Sequence, residues 1–164
     1  MVITTSRLRL RPFTEEDTIE YFNLVYNSKS IRQFVPYAWM DSEEEMYESI
    51  KNIYAKGNFR DDFYFVLQEK ETGKIIGAII AVRQKERFLD LSVLVGDFYQ
   101  HQGFMFEAVT AFKEMLKTTK YIQFSLVIEN SNEKSQALAK KLGAIKDRTI
   151  INNEGYTKYI LPIC

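Results

Sequence analysis

Residues 88–112, Phe88-Leu-Asp-Leu-Ser-Val-Leu-Val-Gly-Asp-Phe-Tyr-Gln-His-Gln-Gly-Phe-Met-Phe-Glu-Ala-Val-Thr-Ala-Phe112, change their periodicity half-way. Leu89, Leu91, Val93 and Val95 fall on one face at period two, the pattern of a strand. Met105, Ala108, Val109 and Phe112 recur at the spacing of three and four that marks an apolar helix stripe. Between them lies a tight polar turn, Gln100-His101-Gln102-Gly103. A strand that feeds a helix through such a turn leaves the first N–H groups of the helix without intrahelical partners. That start is a cradle for an anion, phosphate foremost. The rest of the chain must say what the phosphate belongs to.

Upstream, Arg7, Arg9 and Arg11 alternate with Leu8 and Leu10, a half-buried strand with its arginines on a solvated face, ended by Pro12. Thr14 opens a helix with Asp17 three residues on, a capping-box pattern, and Ser28–Phe34 is a short second piece. Phe34-Val-Pro-Tyr37-Ala-Trp39-Met is an aromatic loop carrying the sole tryptophan. Phe34, Tyr37 and Trp39 are candidates to line a substrate pocket, while Trp39 could equally plug the core. Ser42 and Glu45 form a second capping box, and that helix stops at Gly57. Strands follow at 63–68 and 75–82, joined by a turn at 71–74; Gly77 inside the second predicts a bulge or a close backbone approach.

Downstream, the central helix runs to about Thr118 and a strand spans 121–128. A short helix carries Leu138 and Leu142 on one face and ends at Gly143. Two last strands, 144–151 and 156–163, are joined by Asn152-Asn-Glu-Gly155, with the glycine where a left-handed residue is needed. There is no repeat, linker or low-complexity run.

The chain has 164 residues, 46% hydrophobic and 27% charged, which fits one domain spanning 1–164. Its 22 basic and 22 acidic side chains cancel, which argues against a nucleic-acid partner. The one cysteine, Cys164, precludes an internal disulfide and there is no metal-ligand pattern. No apolar run reaches the roughly 18 residues of a membrane span, and residues 1–9 lack a signal-peptide core. A cytoplasmic protein, monomer or homodimer, with neither membrane nor metal, is the expectation.

The element order β-α-α-β-β-β-α-β-α-β-β and two motifs together resemble the GCN5-related N-acetyltransferases, within them the group that acetylates ribosomal-protein N-termini. Gln100-His101-Gln102-Gly103-Phe104-Met105 is similar to the family pattern Gln/Arg-x-x-Gly-x-Gly/Ala, and Glu107-Ala108 follows as in the ribosomal-type group. Asn132-Glu-Lys-Ser135-Gln-Ala-Leu138-Ala-Lys-Lys141-Leu142-Gly143 is similar to Asn-x-x-Ser-x-x-Leu-x-x-Lys-Leu-Gly. Ser6–Phe13 looks like the group's first strand. His101 replaces a usual glycine, and histidine tolerates a positive φ better than most residues. Met105 replaces a Gly or Ala, as it often does in the ribosomal-type group.

The resemblance implies a mixed α+β fold: a mostly antiparallel twisted sheet of about seven strands, splayed in the middle and flanked by about four helices. It also implies acetyl-coenzyme A as co-substrate. The N–H groups of Gln102, Gly103, Phe104, Met105 and Phe106 would hold its pyrophosphate, within a site that also includes Gln100 and His101. The pantetheine would lie along Val93, Leu94 and Val95 as a pseudo-strand, and the N–H near Val95 would face the thioester carbonyl. Asn132 would cap the short helix and touch the pantetheine. Many relatives place a tyrosine acid where this chain has Ala139, so Ser135 is the alternative proton donor to the leaving thiolate. Glu107 reads as structural, favoured by the helix dipole. The general base is not visible, since a family glutamate would fall near Val127, and a base acting through water would suffice.

The resemblance thus implies acetyl transfer to a primary amine, first a protein N-terminal α-amine. A small-molecule amine (amino acid, polyamine or aminoglycoside) is the alternative acceptor. A non-catalytic acyl-coenzyme A-binding module is the alternative of a different class.

Overall fold

The computed structural model describes residues 1–57, 62–148 and 155–164, with side chains described for all of these except Tyr37 and residues 53–57. The chain runs β1 (Ile3–Thr4), β2 (Leu8–Pro12), α1 (Thr18–Tyr26), α2 (Lys29–Phe34), α3 (Glu43–Gly57), β3 (Phe63–Glu69), β4 (Ile75–Lys85), β5 (Phe88–Val95), α4 (Phe104–Leu116), β6 (Gln123–Glu129), α5 (Glu133–Lys141), β7 (Ile145–Lys146) and β8 (Tyr156–Pro162). Single 3-10 turns sit at Glu15–Asp17, Pro36–Ala38 and Asp97–Tyr99. The strands form one sheet in the order β1-β2-β3-β4-β5-β6-β8-β7. The fold class is the expected one. The eighth strand, β1, has two residues, too few to show a period. The fifth helix arises because Ser28 separates α2 from α1. The turn expected at 152–155 lies outside the described residues except for Gly155, whose φ is the expected left-handed value, +90°. No helix among the described residues is long and apolar enough to cross a membrane.

Every strand pairing is antiparallel except β5 with β6. That parallel seam pairs Phe88 with Gln123, Leu89 with Phe124 and Asp90 with Ser125, and goes no further. Beyond Asp90 the strands part, which is the expected splay. A parallel pair needs a crossover, and α4 supplies it. The apolar stripe of α4 (Met105, Ala108, Val109, Phe112 and Leu116) is buried with Leu89 and Leu91 of β5, Phe124 and Leu126 of β6, and Tyr159 and Leu161 of β8. On the other face, Tyr21 and Val25 of α1, Ile31 of α2 and Met46 and Ile50 of α3 bury Val66, Ala78 and Leu94. The helices α1–α3 therefore cover the β3–β5 side, and α4 covers the opposite face.

Gly77 fulfils both parts of its expectation. The β3–β4 register shifts beside it, from Leu67↔Gly77 to Gln68↔Ile75. A Cβ there would lie 2.3 Å from the Leu94 carbonyl oxygen, so only glycine lets β4 run this close to β5. The two caps form with a variation. Asp17 accepts from the Thr14 N–H at 2.7 Å and pairs with Arg11 at 2.8 Å. Burial raises the Asp17 pKa, but the bonds from Arg11 and Thr14 outweigh it and leave it lowered. Ser42 caps the Glu45 N–H, and Glu45 reaches back to the N–H of Asp41 rather than that of Ser42.

One carboxylate ties the two ends of this scaffold together. Glu107, in the first turn of α4, accepts from the hydroxyls of Thr5 and Ser6, from the Arg7 N–H at 3.0 Å and from Arg7 Nε at 2.7 Å. The β1–β2 turn is thereby fastened to the start of α4. Burial opposes the charge, but the bonds from Thr5, Arg7 and Ser6 hold the carboxyl at about 2, against an ordinary 4.5. A depressed acid contributes stability that is complete above its unfolded value and is lost as the pH falls through the folded one. Glu107→Gln is expected to cost about 2 kcal/mol near neutral pH, from hydrogen bonds to a charged group. Urea titrations across the acid range should show the parent losing this advantage between pH 4.5 and about 2. A variant as stable as the parent at neutral pH would remove Glu107 as the tie.

Candidate active site

The central turn has two residues in the left-handed region, His101 at φ +61° and Gly103 at φ +79°. The histidine that replaces a usual glycine thus adopts the conformation a glycine would, which short polar side chains and histidine tolerate best. Gly103 occupies the N-cap of α4, and the first helical bond runs from the Glu107 N–H to the Gly103 carbonyl at 3.0 Å. The N–H groups of Phe104, Met105 and Phe106 precede it and have no helical acceptor. His101, Gln102 and Gly103 are exposed. The side chains of Phe104 and Met105 are buried in the α4 core, so only their backbone can meet a ligand. Phe106 is half-buried beneath Lys141 Nζ, 4.6 Å from the ring centre.

Arg7 is exposed, as expected, but it also makes specific contacts. Its Nη1 donates to the Gln102 carbonyl at 2.8 Å and its guanidinium lies 4.3 Å over the Phe104 ring. A Cβ at Gly103 would come within 3.5 Å of Arg7 Nη2. A cation therefore borders the cradle. The residue was not singled out because its partners lie about a hundred positions away in sequence.

Gln100 is held from three sides. Its amide nitrogen donates to Ser30 Oγ at 2.7 Å and its oxygen accepts from Lys134 Nζ at 2.9 Å. The same nitrogen lies 3.2 Å from Asp97. Asp97 accepts from the Lys29 N–H at 2.8 Å, the Ser30 N–H and the Ser30 hydroxyl, which caps α2 from outside its own segment. The side chain of Gln100 thus locks the turn to α2 and α5.

The register of β5 decides which backbone groups are open. Val95 opposes Gly77, and the Gly96 N–H bonds the Ile76 carbonyl at 2.9 Å. In an antiparallel ladder the groups alternate, so Leu94 turns its N–H and C=O to β4. Val93 and Val95 turn theirs to the side that β6 has left. Of the three expected positions, two turn their backbone to the opening, and there the Val95 carbonyl accepts from Gln100 Nε2 at 3.5 Å.

On α5, Asn132 Oδ1 accepts from the Ser135 N–H at 3.1 Å, the expected cap. The Ser135 hydroxyl makes no hydrogen bond among the described residues and is half-buried. It neighbours Lys134, which reaches Gln100, so the first turn of α5 stands beside the central turn. Ala139 is buried in the α4 core.

Of the aromatic trio, Phe34 ends α2 and Tyr37 lies in the 3-10 turn at Pro36–Ala38. Trp39 stacks on Tyr26 at 5.7 Å, lies beneath the Arg32 guanidinium at 4.6 Å and packs against the α1–α3 core. Its Nε1 is buried without a hydrogen-bond partner among the described residues. The core-plugging role is therefore real, and one donor is left over.

Two polar residues escaped the sequence reading. Asp90 and Ser125 form the last pair before the strands part. Their neighbours Leu89, Leu91, Phe124 and Leu126 face α4, so both point to the opposite face. Asp90 bonds Gln84 and Ser125, and its burial raises the carboxyl pKa above the ordinary value against the effect of those bonds. A cavity of about 230 Å³ lies over the bonded part of this seam, lined by Gln84, Lys85, Phe88, Asp90, Gln123 and Ser125 among others. The signal available was an acid in mid-strand with polar Ser92 on the same face. Among the described residues no group of three or more His, Cys, Asp or Glu could hold a metal ion.

The turn, the open strand edge and the capped α5 fit an extended ligand with a phosphate at one end, such as coenzyme A. The model of the acetyltransferase (GNAT) domain matches residues 7–145. No curated protein matches in sequence. Among solved structures, a ribosomal-protein α-N-acetyltransferase in complex with coenzyme A superposes with TM-score 0.83 at 14% identity, covering 99% of this chain and 96% of that one. A Vibrio cholerae protein provisionally described as a ribosomal-protein-serine acetyltransferase gives 0.81 at 23% identity, covering 99% and 96%. A Salmonella typhimurium acetyltransferase described as modifying the N-terminal serine of a 50S ribosomal subunit protein gives 0.80 at 14% identity, covering 99% and 97%. At such identities these structures speak for the fold alone. The family model covers most of the chain, and the chain belongs to the GNAT acetyltransferase family.

Proposed function

We propose that this acetyl-coenzyme A-dependent N-acetyltransferase acts on the N-terminal α-amine of a protein, in the cytoplasm. The observation that carries the cofactor assignment is the continuity of two features. The free N–H groups at the start of α4 run on into the half-bonded edge of β5 at Val95 and Val93. A pyrophosphate suits the first, and the amides of the pantetheine arm suit the second as an added strand. Arg7 adds a cation beside the pyrophosphate. The Val95 N–H would face the thioester carbonyl and steady the negative charge that builds there during attack. Ser135, with an uncommitted hydroxyl, would supply a proton to the departing sulfur. Asn132 and Lys134 hold its helix in place.

The fold relatives that modify ribosomal-protein N-termini support a protein acceptor. A small-molecule amine is the alternative acceptor. Thiol release from acetyl-coenzyme A decides between them. Peptides with free N-termini should be turned over faster than amino acids, polyamines and aminoglycosides. Preference for a small amine would replace the protein acceptor, and tight coenzyme A binding without turnover would make the chain a binding module. Ser135→Ala should lower kcat by about tenfold or more, as loss of a proton donor does, with the coenzyme A Kd unchanged. Unaltered kinetics would remove Ser135 from the reaction.

A further inference from the structure

At position 101 the central turn carries a side chain where related turns usually have glycine. The φ of +61° lies in the left-handed region, which a glycine would occupy without cost. A side chain retained in so unfavourable a conformation points to a use for that side chain. His101 is the sole histidine of the chain. It is exposed, and its ring has no hydrogen-bond partner among the described residues. The other charged groups around the turn are mostly engaged. From the β1–β2 turn, Arg7 pairs with Glu107 of α4 at 2.7 Å and bonds the Gln102 carbonyl. From α5, Lys134 bonds Gln100 and Lys141 lies over the Phe106 ring. In the preceding 3-10 turn, Asp97 accepts from the N–H groups of Lys29 and Ser30 of α2, and Tyr99 packs on Phe98. The Lys29 side chain is exposed. His101 is therefore the ionisable side chain within the turn itself, and its charge is uncommitted.

We infer that the His101 imidazole is a ligand for the pyrophosphate of coenzyme A, and that it binds in its protonated form, so that the cofactor is held more tightly as the pH falls. The inference rests on the acetyl-coenzyme A reading and adds one side chain to the backbone cradle. A neutral imidazole has one N–H donor, and a protonated one has two and a charge. A hydrogen bond from the charged ring to a phosphate oxygen is the stronger kind. Imidazole changes its charge between about pH 5 and 8. A bound anion favours the charged ring, so the ring keeps its proton to higher pH in the complex than in the free protein. The sign of the linkage follows. The added affinity is complete below the pH at which the free protein titrates, and it is lost as the pH rises through the titration of the complex. Its size is about tenfold for each pH unit between the two titrations. Binding in this range takes up a proton from the buffer. A glycine at 101 keeps the cradle and loses the dependence.

Dephospho-coenzyme A is the probe. Its pyrophosphate keeps its charge across this range, whereas the 3′-phosphate of coenzyme A itself titrates at about pH 6. In protein without a histidine tag, the imidazole proton NMR signals belong to His101 alone. Their titration should move up by about half a pH unit or more when dephospho-coenzyme A is added. Pantetheine, which has no phosphate, should leave it in place. Calorimetry should give a Kd about threefold or more lower at about pH 5.5 than at about pH 8, with proton uptake on binding. His101→Gly suits the left-handed backbone and should still bind, with that pH dependence gone. His101→Asn, which also tolerates the conformation but carries no charge, should behave likewise. A ring titration unmoved by dephospho-coenzyme A, or the parent's pH dependence retained in His101→Gly, overturns the inference and leaves the coenzyme A assignment standing. Absence of binding to the parent chain at every pH overturns both.

Discussion

The structure depends on a seam that closes over only three residue pairs. β6 bonds β8 along its whole length, Gln123 to Glu129, whereas it follows β5 only from Phe88 to Asp90. A strand cannot satisfy two diverging partners at once, and β6 keeps β8. The upper half of β5 is then left with its edge open in mid-sheet, where backbone groups normally find partners. In most sheets an open edge is a hazard for unwanted pairing. Here it is short, walled by helices on both faces and continuous with a helix start. Those features suit it to an extended ligand.

Holding that slot open requires fixing α4 with respect to both strands. The apolar stripe of α4 supplies the bulk of the fixation, and the tie from Thr5, Ser6 and Arg7 to Glu107 secures its first turn. The left-handed residue His101 costs on the order of 1–2 kcal/mol for a side chain with a Cβ. Bonds from Gln100 to Ser30 and Lys134, and from Arg7 to the Gln102 carbonyl, hold the turn in that conformation. The loop is thus prepared before any ligand arrives, so little ordering cost falls on binding.

Much of this was legible locally. The switch of period between Val95 and Met105 located the end of the strand and the start of the helix, and Gly77 marked a place where only a glycine fits. Gly77 showed it most plainly, since its missing side chain is what admits Leu94 to bond β4. What the sequence hid was long-range. Arg7 alternates with leucines like any solvated arginine, and its contact with Glu107 and Phe104 exists only after α4 folds back across β2. Likewise Leu94 and Val95 look alike in sequence, and only the register against Gly77 shows which offers its backbone to the opening.

Amide hydrogen exchange with and without coenzyme A tests the open-edge account most directly. Coenzyme A is expected to slow exchange at Val93, Val95 and the first-turn amides of Phe104, Met105 and Phe106. Leu94, already bonded to β4, should change little. Unaltered exchange at Val93 and Val95, or protection gained at Leu94 in their place, would contradict the slot as the place where the ligand lies.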